Sequence, residues 1–367
     1  MKQTIFYLIL LLIFASCNDM RDVPTPNTLP DTGNDRGRLF VLCEGLMNHN
    51  NSMLVCIDFD MGIFHRDFFR EPGNNRRGLG DTANDMKLFG NQLWIVISIS
   101  SQVEVMDINT GRSIRQIPMF DENDRARQPR NIVFYNNQAF VASFDGTVSR
   151  INMQTFEVEK TIEVGRNPDG MAVANGKLYI SNSGGLGSLS GLGFDNTVSV
   201  IDIESFREIK PRIEVGINPH HIHADSRGYL FLVSRGNNAD IPPKFQKICS
   251  RTDQVVRTFY DLPVVNFVIR NDIAYMYSFD YTTEDFWIKT FDCINGTVIS
   301  EQFVTDGTTL QRPFGIFAHP ANGSIFISDA INHIQNGTIF SFDRNGQLRY
   351  KIEDIGLNPS RFVFVGN

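Results

Sequence analysis

The 367-residue sequence holds two tryptophans and five cysteines, with no Cys-x-x-Cys pair and only one long apolar run. Unpaired cysteine spacing leaves no zinc-binding pattern. One apolar run excludes a bundle of membrane-spanning helices. Basic residues are also in deficit: 34 Lys and Arg stand against 41 Asp and Glu, a formal charge of −7. Coating DNA or RNA requires a basic footprint, so a nucleic-acid partner is excluded. The glycine-rich stretch Gly184–Gly191 lacks the Lys-Ser/Thr and the helix of a phosphate loop and reads instead as a mobile lid. No Ser-His-Asp or paired-carboxylate spacing stands out.

The sequence is rich in apolar residues (42%), including 30 Phe, and in turn formers, with 29 Gly and 15 Pro. This composition supports a large core. The apolar run, Ile5 to Ala15, follows Lys2 and ends at Ser16-Cys17. It is too short to span a bilayer and has the layout of a signal peptide. The exit Phe14-Ala15-Ser16-Cys17 resembles a bacterial lipobox, which implies diacylglyceryl attachment at Cys17. Residues 1–16 are therefore expected to be a signal peptide and 17–37, polar and rich in Pro and Gly, a lipid-anchored flexible tether. Residues 38–367 form the folded body. Of the remaining cysteines, Cys43 and Cys56 fall in neighbouring predicted strands and could in principle meet, while Cys249 and Cys293 read as buried single thiols.

From residue 38 onward one unit recurs. Its clearest copy runs Asn196-Thr197-Val198-Ser199-Val200-Ile201-Asp202, then Ile213-Glu214-Val215-Gly216, Asn218-Pro219 and Tyr229-Leu230-Phe231-Leu232-Val233-Ser234. The preceding copy carries Thr147-Val148-Ser149, Ile162-Glu163-Val164-Gly165, Asn167-Pro168 and Leu178-Tyr179-Ile180-Ser181-Asn182. Short alternating runs between turn residues are β-strands, four per unit. The Asp202 position recurs as Asp58, Asp107, Asn152, Cys249, Asp292 and Asp343, a period that matches propeller blades of ~40–50 residues. The expected fold is all-β, a seven-bladed β-propeller with almost no helix. With strands lettered A to D from the channel outward, the body begins on a B strand at Arg38 and ends on an A strand at Asn358-Pro359. The C-terminal strand thus completes the N-terminal blade.

The motifs Val-x-Val-Ile-Asp, Ile-x-Val-Gly-x-x-Pro and Leu-Tyr-x-Ser-Asn resemble those of YVTN-type, YncE-like propellers. With the lipobox they are similar to the BtuG-type surface lipoproteins of Bacteroidetes. That resemblance implies a protein anchored in the outer membrane facing the exterior, which binds a corrinoid (cobalamin) as ligand, holds no cofactor, and passes the ligand to a TonB-dependent transporter. The absence of a Trp-Asp dipeptide disfavours a WD40 propeller, and non-repeating tryptophans disfavour a quinoprotein. Long B–C and D–A connections on one face mark it as the binding face. The residue before each inner strand's apolar run is expected at the channel mouth: Asp85, Asn131, Gly170, His221, Asn266, Gly315 and Arg361. The long loops add Arg76, Arg77, Arg235, Asn237, Asn238, Tyr281, Trp287 and Phe314, suited to a ligand with amide edges and a broad apolar face. In His220-His221-x-His223, strand alternation puts His221 and His223 on one side and His220 on the other, and no metal is assigned. The alternatives are a lactonase-like hydrolase holding a divalent ion with Glu44, Asp85, Asn131 and Asn266, or a protein- or glycan-binding scaffold.

Overall fold

The computed structural model describes residues 27–71, 73–187, 190–237 and 239–366. The expected signal peptide, Cys17, residues 18–26 of the expected tether, Ser188-Leu189 of the glycine-rich loop and Asn238 lie outside the described residues.

Seven antiparallel sheets form a ring, a seven-bladed β-propeller. The inner A strands are Pro359–Val365, Ala83–Phe89, Pro129–Tyr135, Pro168–Ala174, Pro219–Ala224, Asn266–Arg270 and Pro313–Ala318, for blades 1 to 7. Among the described residues, Phe68–Arg70 is the single helical turn. Strand alternation explains why a blade cannot stand alone. In the B strand of blade 1, Leu39, Val41 and Cys43 pack towards blade 7, while Phe40 and Leu42 pack towards blade 2. Each sheet is apolar on both faces, so both must be covered. The core accordingly divides into seven clusters, one at each junction between blades.

The repeated Asp has a local cause. It ends strand C, and its carboxylate accepts backbone N–H groups of the C–D turn: Asn109 and Thr110 on Asp107, Ser205 on Asp202, Ile294 and Asn295 on Asp292, and Asn345 and Gln347 on Asp343. Asn152 does the same for Gln154 and Thr155. These side chains fix the hairpin and satisfy donors that the turn leaves unpaired. Cys249 holds the same place. It is half-exposed rather than buried, as expected for a turn position. Cys43 and Cys56 point into different junctions, opposite Met53 and Phe40 respectively, and both thiols are free. Burial pushes the Cys56 thiol up to about 12.

Ring closure follows the expected phase: Arg38–Cys43 pairs with Pro359–Val365 in six registered positions. The N-terminal segment adds a second fastening. Residues 27–37, expected to belong to the tether, lie against the body. Asn27–Thr28 pairs with Ile63–His65 at the outer edge of blade 1, and Leu29 is buried in the junction with blade 7. Asp35, 3% exposed, accepts two bonds from the Arg349 guanidinium at 2.8 and 2.9 Å, with Asn322 and the Tyr350 hydroxyl completing its shell. The folded body therefore extends at least to Asn27.

Two predictions concern this closure. Removing residues 358–367 deletes the inner strand of blade 1 and exposes two junctions, so the cooperative unfolding transition seen by calorimetry should vanish. Asp35→Ala leaves the Arg349 charge unpaired and should lower stability by roughly 2–3 kcal/mol in urea titration.

Candidate functional site

The channel mouth is shaped by a backbone irregularity repeated around the ring. Six of the seven inner strands begin with a β-bulge, an extra residue against the B strand; the Asn266 strand pairs regularly. In blade 5, for example, Pro219 opposes Ser234 and Ile222 opposes Leu232, so three steps on one strand match two on the other. A bulge breaks the alternation of side chains and re-aims one of them. The pairs Arg130-Asn131 and His220-His221 therefore both reach the mouth instead of pointing to opposite sides.

Two of the expected lining positions are glycines for steric reasons. A methyl group on Gly170 would come within 2.2 Å of the His220 carbonyl oxygen, and one on Gly315 within 2.7 Å of the Ser360 carbonyl oxygen. Ser181 cements the first approach, accepting from Gly170 N–H at 2.8 Å and donating to the His220 carbonyl at 2.6 Å. Ser328 does the same between Gly315 and Pro359. These glycines let neighbouring inner strands close up.

Inside lies a cavity of about 300 Å³, walled by Asp85, Lys87, Asn131, His221, His223, Asn266 and Arg361 among others. Six of the seven residues expected at the mouth are therefore together, Gly170 included, and Gly315 is not among them. Asp85 is fully buried and joins three blades: it accepts from Ile132 N–H at 3.1 Å and pairs with Lys87 at 3.3 Å and Arg361 at 3.4 Å. Asn266 donates to the Phe314 carbonyl at 3.2 Å. Of the four oxygen ligands of the lactonase-like alternative, Asp85, Asn131 and Asn266 line this cavity, and Asp85 is already paired with two cations. Among the described residues, no group of three His, Cys, Asp or Glu is arranged to hold a metal ion.

Above the cavity runs an arc that alternation did not anticipate. Arg130 lies 3.5 Å from Asp169, Asp169 lies 3.1 Å from His220 Nε2, the rings of His220 and His221 are 4.5 Å apart, and His221 Nε2 accepts from Arg235 at 3.2 Å. Burial opposes the Asp169 charge, but His220 and Arg130 together hold its carboxyl far below the usual range. Burial first, and the charge of Arg235 second, lower His220 to about 4. His223, edge-on to Phe267, is lowered to about 4 by burial and then by Lys87 and Arg361. His221 is lowered by burial first, and then by His220, Arg235 and Arg361. At neutral pH all three imidazoles are uncharged. Burial raises the Glu44 carboxyl, against the opposing pull of Arg361, Arg130 and Arg235.

The remaining expected residues divide. Arg235 belongs to the mouth. Asn237 shapes its own loop, accepting from Ala239 and Ile241 and donating to Asp240. Tyr281 stands exposed on the 280–285 loop against Phe279. Phe314 meets the His333 ring at 5.4 Å near the rim. Trp287 lies near the start of strand C of blade 6, partly buried against the blade 5–6 junction, and carries Lys289 at 4.7 Å. Arg77 is tied to Glu104 and Phe69 because the 66–82 connection runs down the outer edge of blade 2 to its far hairpin. The 301–312 connection descends likewise, reaching Gly346 and Leu348. The crown of the mouth is built instead by the B–C loops. In the described part of its glycine-rich member, expected to be a lid, Leu186, Gly187 and Leu192 line a neighbouring groove of about 550 Å³ with Phe144, Arg166 and Arg212.

The neutral histidines make a pH prediction. Unfolded, His220 titrates near 6.5; folded, near 4. Between those values the unfolded chain binds more protons, so stability present above pH 6.5 is lost as pH falls through the window. Raised carboxyls such as Asp67 and Glu44 act in the opposite direction, which makes the difference from a variant the informative quantity. Relative to wild type, His220→Gln should lose about 2 kcal/mol less urea stability between pH 7 and pH 5.

No protein-family model matches the chain, and no curated protein matches its sequence. Solved structures do share its shape. A quinoprotein alcohol dehydrogenase-like protein from Bacteroides thetaiotaomicron superposes with a TM-score of 0.63 at 12% identity, covering 90% of this chain and 78% of that one. Hydrazine synthase from Kuenenia stuttgartiensis gives 0.56 at 16% identity, covering 70% and 74%. The Pan2 WD40 domain of Neurospora crassa gives 0.54 at 12% identity, covering 72% and 78%. At such identities the likeness establishes the propeller fold alone.

Proposed function

We propose that the chain is a binding protein, lipid-anchored through Cys17 at the outer surface of the outer membrane, that captures a corrinoid on its long-loop face and passes it to a TonB-dependent transporter. One observation carries this reading: exposed apolar side chains on the B–C loops stand around a polar, charged channel mouth. Met47, Leu186, Leu192, Ile241, Tyr281 and Ile334 come from the loops of blades 1, 4, 5, 6 and 7, with Leu192 and Ile334 each 71% exposed. Leaving such groups in water is unfavourable, and clustered apolar residues rimming a polar centre mark a binding surface.

The sizes favour a ligand lying across the face. A cavity of about 300 Å³ is large enough for one polar arm of a big ligand but not for its body. A corrin combines a broad flat ring with amide-bearing arms. The ring would lie on the crown while an arm enters among Asn131, His221 and Asn266. A hydrolase reading is disfavoured because Asp85, the carboxylate in the cavity wall, is engaged by Lys87 and Arg361.

The test is a calorimetric titration of cobalamin into the chain from Asn27 onward, which contains the whole closed ring. Saturable one-to-one binding is expected. Leu192→Asp and Ile334→Asp should each weaken it roughly tenfold or more by placing charge against apolar ring surface. No heat and no retention of the coloured ligand at millimolar concentration would end the corrinoid reading.

A further inference from the structure

The arginines of the mouth are not all balanced. Arg361 has Asp85 and Arg130 has Asp169. Among the described residues, Arg235 forms no ion pair; its one side-chain partner is the neutral His221. The Nε–H groups of Arg235 and Arg130 are both buried and donate to no protein atom. A buried charged donor without an acceptor is costly, and the cost is recovered when an acceptor arrives. Lys87 adds a further positive charge in the cavity wall. Against Arg130, Arg235, Arg361 and Lys87 stand Asp85, Asp169 and Glu44, and burial pushes Glu44 towards its neutral form. The mouth therefore carries an excess of positive charge with two donors unused.

Those donors belong to one chain of contacts. Arg130, Asp169, His220, His221 and Arg235 follow one another in contact across blades 3, 4 and 5, and Arg130 and Arg235 both act on Asp169, His220 and Glu44. His220 gives Nε2–H to Asp169, and its Nδ1 is buried without a partner. Guanidinium groups meet oxyanions through paired, planar N–H donors, which a lysine cannot reproduce.

We propose that the channel mouth holds an oxyanion, a phosphate or carboxylate group, bound by Arg235 and Arg130 with Arg361 facing them. The anion supplies the acceptors that both Nε–H groups lack and offsets the surplus charge. This deepens the binding reading: it rests on the long-loop face being a ligand face, with the anionic group of the ligand entering first. It does not rest on that ligand being a corrinoid.

The test is titration of the chain from Asn27 onward with inorganic phosphate and, separately, with acetate, followed by calorimetry and by thermal shift. Preference for phosphate identifies a phosphoryl group as the natural occupant, and preference for acetate a carboxylate. Arg235→Gln should weaken binding of the preferred ion roughly 10- to 100-fold. Arg235→Lys keeps the charge, guards against a folding artefact, and should recover only part of the affinity. Neither ion binding wild type, or equal binding to wild type and Arg235→Gln, overturns the subsite. Cobalamin titrated into the same preparation separates the two readings. Anion binding without cobalamin binding keeps the subsite and removes the corrinoid; cobalamin binding without anion binding does the reverse.

Discussion

Pairing between Arg38–Cys43 and Pro359–Val365 closes a ring of sheets that are apolar on both faces, and without it two junctions and an open strand edge would face water. Closure sets everything nearer the axis. Seven inner strands must converge on a narrow channel, where the approach of backbones leaves no room for a side chain at Gly170 or Gly315. At that same level the strands bulge, and each bulge turns an additional side chain towards the mouth. The cluster of charge and imidazole at the mouth is thus a product of the ring geometry. Outside the ring, Asp35 and Arg349 repeat the closure from the far side, so the blade 7–blade 1 seam is fastened at both edges.

The electrostatics follow from this crowding. Charges brought together under partial burial have to be paired or suppressed. Asp85 is paired, by Lys87 and Arg361. The three histidines are suppressed, remaining neutral beside the arginines. Arg235 is neither, which singles it out. Around this polar centre the B–C loops raise apolar side chains into solvent. A surface with a charged middle and an apolar rim suits a ligand that is itself broad, apolar and polar-armed.

Much of the ring could be read from the sequence because its signals are local. Asp58, Asp107, Asp202 and Asp292 recur because most C–D turns use the same side-chain acceptor, with Asn152 and Cys249 as the departures, so the period of the fold is written largely in one residue type. Asp85, Asn131, His221, Asn266 and Arg361 share one place in the repeat, and the structure brings them to one cavity. Arg130, Asp169 and His220 escaped because strict alternation turns them away, and a bulge is invisible to a period-two pattern. Trp287 follows a loop in sequence, and its place on a C strand packs part of its side chain against a junction, which the loop position alone does not reveal. Arg77 was misplaced because long D–A connections fill outer grooves as readily as they crown a face. Residues 27–37 have the composition of a linker, and only three-dimensional contacts reveal that Leu29 and Asp35 are buried.

The central claim is that the B–C loop face is where this propeller meets its ligand. Hydrogen–deuterium exchange with and without saturating cobalamin tests it most directly, because it reports location independently of any substitution. The account predicts slowed exchange confined to the loops at 44–52, 183–196, 235–243 and 330–337 and to the bulged starts of the inner strands. Slowed exchange on the opposite face, in the hairpins at 136–137, 225–228 or 293–296, or no slowing anywhere, would contradict it.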